Sequence, residues 1–361
     1  MNPIVAYIVT LVFYFFDFSI LGWGLNIQFG LAGILDFTLI TFFAVGAYLT
    51  AVFSLGPPSA GEQYIFGFGL PFPLGLIAGA IVAGLLGMVI GLLAFKRLRS
   101  DYLAIVMIAV GTIIYDLVSN YVPLFNGVNG TTGVPQPFVE MLNLGQGGFL
   151  YVITAIAGII TIIAGFFVHR LFDSPLGRVM RAIRDDPDAV RSVGKSPFRY
   201  QMLAMVIGCV YSGIAGGLLV EFISAIDPSG WTTGETFIMF AALIIGGVGN
   251  NRGVMVGALL VPVAFQEATR FLPAIGGNPD LIPALRNIVV GALLIGFLWF
   301  RPQGIIPERL KRFAVPSVPP TQNTRVAVLS GTARATEVVA GEDDQASPAA
   351  TSEGVPGVES V

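Results

Sequence analysis

The sequence predicts an all-α, polytopic integral membrane protein, and three observations carry that expectation. Charge is scarce: of 361 residues, 55% are hydrophobic and only 11% charged, against roughly a quarter charged in a soluble domain. The apolar residues gather into long runs, and about 18 of them in a row suffice to cross a hydrocarbon core of about 30 Å. The runs are apolar all round rather than alternating, which argues against a transmembrane barrel.

Taken in order, the apolar runs lie at 4–23, 37–55, 73–95, 102–123, 149–169, 200–222, 237–249, 253–270 and 283–300. They give about nine transmembrane segments, including short or re-entrant helices. The stretch from Ile4 to Leu55 is too long for one helix, and Gly22, Gly24, Gly30 and Gly33 are the expected break. The 237–249 run is short for a span; it reads as a half-helix that re-enters, or as a helix tilted with its partner at 253–270. Glycine pairs four apart (Gly75/Gly79, Gly87/Gly91, Gly213/Gly217) permit close helix approach.

Lysine and arginine placement sets the orientation. Lys96, Arg97 and Arg99 share one connection, the 170–199 loop is a second, and Arg301, Arg309, Lys311 and Arg312 follow the last run. The connections 56–72, 124–148, 223–236 and 271–282 contain neither residue. The expected topology is therefore N-outside, C-inside. No lysine or arginine precedes Lys96, so the positive region of a cleavable signal is missing and the first run reads as a retained span. Residues 1–312 form the transmembrane domain. Residues 313–361, rich in Pro, Ser, Thr and acids, read as a disordered acidic cytoplasmic tail.

Chemistry is sparse. The single cysteine, Cys209, excludes a disulfide framework or thiolate cluster within one chain. The single histidine, His169, reads as interfacial. No nucleophile–base pair, metal-ligand cluster or cofactor fingerprint is present, and nothing points to nucleic acid. The chain is not expected to be an enzyme or to bind a cofactor. Residues Ala189 to Ser196 fit a relaxed phosphate-loop pattern, but a phosphate loop sits between a buried strand and a helix, and here the preceding residues are charged and helix-like.

The 170–199 loop is the unusual feature. It holds seven basic residues (Arg170, Arg178, Arg181, Arg184, Arg191, Lys195, Arg199) and four acidic ones (Asp173, Asp185, Asp186, Asp188). Ser174 followed by Pro175 reads as an N-cap and first helical residue. Asp186, Pro187 and Asp188 mark a second start, and Gly194 a stop. Two short helices with a break at 184–186 are expected, well made to be gripped by a soluble protein.

Ionisable groups inside the runs are pathway candidates by default: Asp17, Asp116, Glu221 and Glu267, the last spaced to pair with Arg270. Asp116 and Glu221, near run ends, are expected to meet water. Glycine-rich breaks are the other clue, because broken helices turn free backbone groups toward a solute. The translocation pathway is accordingly expected along Asn26, Gly30, Asp36, Gly246, Gly247 and Gly249.

Several blocks carry a resemblance. GLNIQFGLAGILDFTLITFFAVGAYLTA (24–51), RLRSDYLAIVMIAVGTII (97–114), SPLGRVMRAIRDDPDAVRSVG (174–194), FIMFAALIIGGVGNNRGVMVGALL (237–260) and FRPQGIIPE (300–308) together resemble the LivM-type permease of branched-chain amino acid ABC importers. Similar signatures occur in urea and short-chain amide permeases. The resemblance implies a multi-pass subunit of the cell membrane, moving branched-chain or related amino acids with energy from a separate ATPase. It implies as partners two cytoplasmic ATPases, a second homologous permease and an extracytoplasmic solute-binding protein, in a lipid bilayer. Arg178, Arg181, Ala182, Arg184, Asp185, Asp186, Asp188, Arg191 and Gly194 would then face an ATPase. The reading from another class is a stand-alone secondary transporter or channel.

Overall fold

The computed structural model describes residues 2–58, 62–97, 100–139, 145–270 and 281–308. The expected tail at 313–361 and the 271–282 connection, apart from its last two residues, lie outside them. The elements are α1 (Pro3–Leu25), α2 (Leu39–Ser54), α3 (Leu74–Arg97), α4 (Ser100–Asn120), α5 (Val122–Phe125), α6 (Gln146–Asp173), α7 (Pro175–Asp185), α8 (Pro187–Ser192), α9 (Pro197–Ile223), α10 (Thr233–Gly246), α11 (Asn251–Ala258), α12 (Gln266–Arg270) and α13 (Leu281–Phe300). Strands β1 (Thr131–Thr132) and β2 (Ala225–Ile226) form a small antiparallel ribbon. Among the described residues, five helices are long and apolar enough to cross a membrane.

Helices α2, α3 and α9 form the centre, with α1 packed on α6 and α9. Small residues set the approach. A Cβ on Gly216 would lie 1.9 Å from the Phe43 carbonyl oxygen, and one on Gly79 2.7 Å from that of Gly46. Neither position admits alanine without moving a backbone, so these two glycines are contact points between helices. Apolar side chains such as Ile162, Phe167, Trp299 and Phe300 remain exposed on the outer surface, as a lipid solvent requires rather than forbids.

The first long run does break, but later than expected. Gly22 and Gly24 stay helical; their missing side chains make room for Val254 and for the Gly208 carbonyl. The helix continues as a π-helical turn over Asn26–Leu31 and ends at Gly33, whose φ of +70° suits glycine. The short 237–249 run starts earlier, at Thr233, and forms a hairpin with α11. The 253–270 run is interrupted: Pro262 lacks the amide a regular turn needs, and Leu259–Phe265 is π-helical. Glu221, expected near water, is buried, because the last turn of α9 packs on α1 with Phe222 stacked on Phe13. Asp17 is fully buried and Asp116 exposed. Glu267 accepts a hydrogen bond from the Tyr7 hydroxyl at 3.1 Å; the side chain of Arg270 lies outside the described residues.

Candidate functional site

Between α6 and α9 the chain forms the two short helices that the cap residues predict. Ser174 Oγ accepts the Gly177 amide at 3.1 Å and starts α7. Asp186 Oδ1 accepts the amides of Asp188 and Ala189 at 2.9 and 3.0 Å and starts α8. Gly177, Met180 and Ile183 face the bundle and are buried, as is Val190 of α8. Arg178, Ala182, Asp185, Asp186, Asp188, Arg191 and Gly194 are exposed. Arg191 and Asp188 pair with each other on that surface.

Arg181 and Arg184 do something else. They turn inward along the flank of the apolar face, their stems covering apolar surface while their heads find partners. Both reach Glu308: Arg181 Nε lies 3.1 Å from Glu308 Oε1, and Arg184 Nη2 donates to Oε2 at 3.0 Å. Arg181 Nη2 also donates to the Phe172 carbonyl at 3.0 Å, and Arg184 Nη1 to the Gly30 carbonyl. The three side chains are only 16–25% exposed. Glu308 thus joins α7 to the segment after α13, while Arg184 joins α7 to the π-turn of α1.

That segment is held against the α10–α11 turn. The amides of Ile305 and Ile306 donate to the carbonyls of Ile245 and Gly246 at 2.8 and 3.0 Å. Asn250 Nδ2 donates to the Pro307 carbonyl at 2.9 Å while its Oδ1 caps α11. The turn is tied in turn to α1: Asn26 Oδ1 accepts the Gly249 amide at 2.9 Å, Asn26 Nδ2 donates to Asn251 Oδ1 at 3.1 Å, and Trp23 Nε1 donates to the Asn251 carbonyl at 3.0 Å. Gly249 has φ +78°, and a Cβ there would sit 2.6 Å from the Glu308 carboxyl carbon. One junction therefore unites α7, the bend of α1, the 247–250 turn and the 301–308 segment.

Of the six residues expected along the pathway, five (Asn26, Gly30, Gly246, Gly247 and Gly249) meet at this junction. Asp36 does not. It is fully buried before α2, where its Oδ1 accepts the Thr38 amide at 2.8 Å. Sequence reasoning missed Glu308, Asn250 and Asn251 as site residues. Glu308 ends the FRPQGIIPE block, the one signal that could have marked it.

A bundle of apolar helices with a charged, capped helical pair at one end defines a multi-pass, all-α membrane protein. Residues 7–298 match the family described as the branched-chain amino acid transport system / permease component, and the chain belongs to that family. It is 29% identical to the high-affinity branched-chain amino acid transport system permease protein LivM of Escherichia coli (strain K12), over 80% of this chain and 68% of that one. It is 28% identical to the probable branched-chain amino acid transport permease protein LivM of Methanocaldococcus jannaschii, over 87% and 95%. The permease protein LivH of the same E. coli system is 25% identical, over 80% and 91%. No solved structure matches. These are transport permeases, not enzymes.

Proposed function

We propose that this chain is a permease subunit of an ATP-driven importer of branched-chain amino acids in the cell membrane. Its partners are a second, homologous permease, two cytoplasmic ATPases and an extracytoplasmic binding protein. It is arranged N-outside and C-inside with about nine crossings, and residues 313–361 form a cytoplasmic tail. The observation that carries the reading is the two-sided construction of α7–α8. One side is an exposed, mixed-charge surface (Arg178, Ala182, Asp185, Asp186, Asp188, Arg191, Gly194) for an ATPase to grip. The other is fastened through Arg181 and Arg184 to Glu308 and the bend of α1. Movement of the ATPases is thereby carried into the span that begins the bundle and the turn between α10 and α11. The family match and the LivM and LivH relatives support the cargo and the presence of a second permease.

The test is co-expression with the partner genes. Charge reversal on the exposed side, Arg178→Glu with Arg191→Glu, is expected to lower copurification of the ATPase with little change in the amount of folded permease, because exposed positions away from buried networks change stability little. Unchanged copurification would remove the docking assignment. Solute uptake by this subunit alone, driven by an ion gradient, would remove the ATP-driven reading. Truncation after residue 317 is expected to leave uptake intact in the same assay; its loss would give the tail a function.

A further inference from the structure

The end of the bundle opposite α7 holds two adjoining cavities between α2, α4 and the turn that precedes α10. The larger, about 200 Å³, is walled by Ala44, Val45, Leu49, Leu86, Ile114 and Val118, with Tyr48 among the other residues lining it. The smaller, about 190 Å³, is lined by Gly111, Thr112, Thr232 and Thr233. Thr41, Tyr115 and Trp231 line both, so an apolar lobe and a polar lobe share one wall. Among the described residues, no Asp, Glu, Lys, Arg or His lines either cavity.

Two polar groups beside the apolar lobe have no hydrogen-bond partner among the described residues. Tyr48 is 2% exposed and its hydroxyl has no hydrogen-bond partner; Trp231 Nε1 has none either. A buried donor left unmade costs about 1–3 kcal/mol, so such groups point to an absent partner. In the polar lobe, Thr232 precedes α10 but its side chain makes no capping bond; the Glu235 amide donates to the Thr232 carbonyl at 3.0 Å.

We propose that the joined cavities receive the transported amino acid, with its branched aliphatic side chain in the lobe of Ala44, Val45 and Leu86. Its ammonium lies toward the Tyr48 hydroxyl and its carboxylate toward Trp231 Nε1, the two unpartnered groups. No charged side chain contacts the space itself, which suits a zwitterion that must be released after it is accepted, and the Asp227 carboxylate, near enough to act on Tyr48, stands on the side of the ammonium. The cavities lie beside the β1–β2 ribbon, at the other end of α9 from α7, the end that faces the binding protein in the proposed orientation. This inference rests on the branched-chain cargo proposed above.

The experiment uses the complete transporter, with both permeases, the ATPases and the binding protein, in proteoliposomes, and measures uptake of labelled leucine and valine. Ala44→Val narrows the apolar lobe and is expected to lower the leucine-to-valine uptake ratio about tenfold, a difference in reach of a single methylene in an apolar pocket. Leu86→Ala widens the lobe and is expected to move the ratio the other way. Opposite shifts cannot come from misfolding, which lowers both rates together. If the wild type carries leucine and neither variant moves the ratio, the pocket assignment is overturned and the cargo stands. If the wild type carries no branched-chain amino acid, the cargo reading falls, and the assigned substrate of the pocket falls with it.

Discussion

Replacing Glu308 by Gln is expected to abolish most uptake while leaving the helical bundle in the membrane. The substitution keeps the shape of the side chain and removes the charge that Arg181 and Arg184 share. Both guanidiniums are mostly covered, so neither recovers full hydration when its partner becomes neutral. A hydrogen bond to a charged group contributes about 1.5–3 kcal/mol, equivalent to about tenfold to a hundredfold in the docked population of α7. The bundle itself loses nothing comparable, because α2, α3 and α9 do not depend on this contact. ATP hydrolysis by the assembled transporter is therefore expected to continue while solute movement falls. A double-mutant cycle of Glu308→Gln with Arg184→Met gives the sharper measurement. Residues in one such network couple by about 0.5–3 kcal/mol, whereas strictly additive losses would mean the pair does not act together.

Asn26→Ala is expected to have the second-largest effect. Asn26 is fully buried and satisfies the Gly249 amide and the Asn251 side chain at once. Alanine leaves that amide without its acceptor, at a cost of about 1–3 kcal/mol, and frees the 247–250 turn from α1. Hydrogen exchange should read this directly: the Gly249 amide is expected to exchange faster, with protection in the middle of α9 unchanged. Uptake should fall in parallel, and normal uptake with a freely exchanging Gly249 would separate the turn from transport.

Much of the fold is written locally. Ser174 and Asp186 announce α7 and α8 because a cap is a matter of three or four neighbouring residues, and the structure starts both helices there. The apolar runs foretell their helices for the same reason. What fails is whatever depends on the partner across the fold. Gly22 and Gly24 look like a break, yet they are places where α11 and α9 come close to a continuous helix. Arg181 and Arg184 look like part of an outward charged surface. They face inward because Glu308, 124 residues beyond Arg184, supplies an acceptor that no local pattern displays. The expected pathway residues cluster because glycine and asparagine serve tight backbone crossings as well as solute contacts, and sequence alone does not separate those uses.

The distance along the chain between Arg184 and Glu308 also sets an order of events in synthesis. A chain made at about 5–20 residues per second has α7 and both arginines complete for about 6–25 seconds before their acceptor exists. Through that interval α7 and α8 have their caps but lack Glu308, the Asn250 contact with Pro307 and the backbone hydrogen bonds of 305–306. Formation of the junction thus reports that the last described helix has been made and seated. An ATPase that recognised α7–α8 only in its fastened position would pass over unfinished chains, and the proposed coupling would then draw on the same carboxylate as that check.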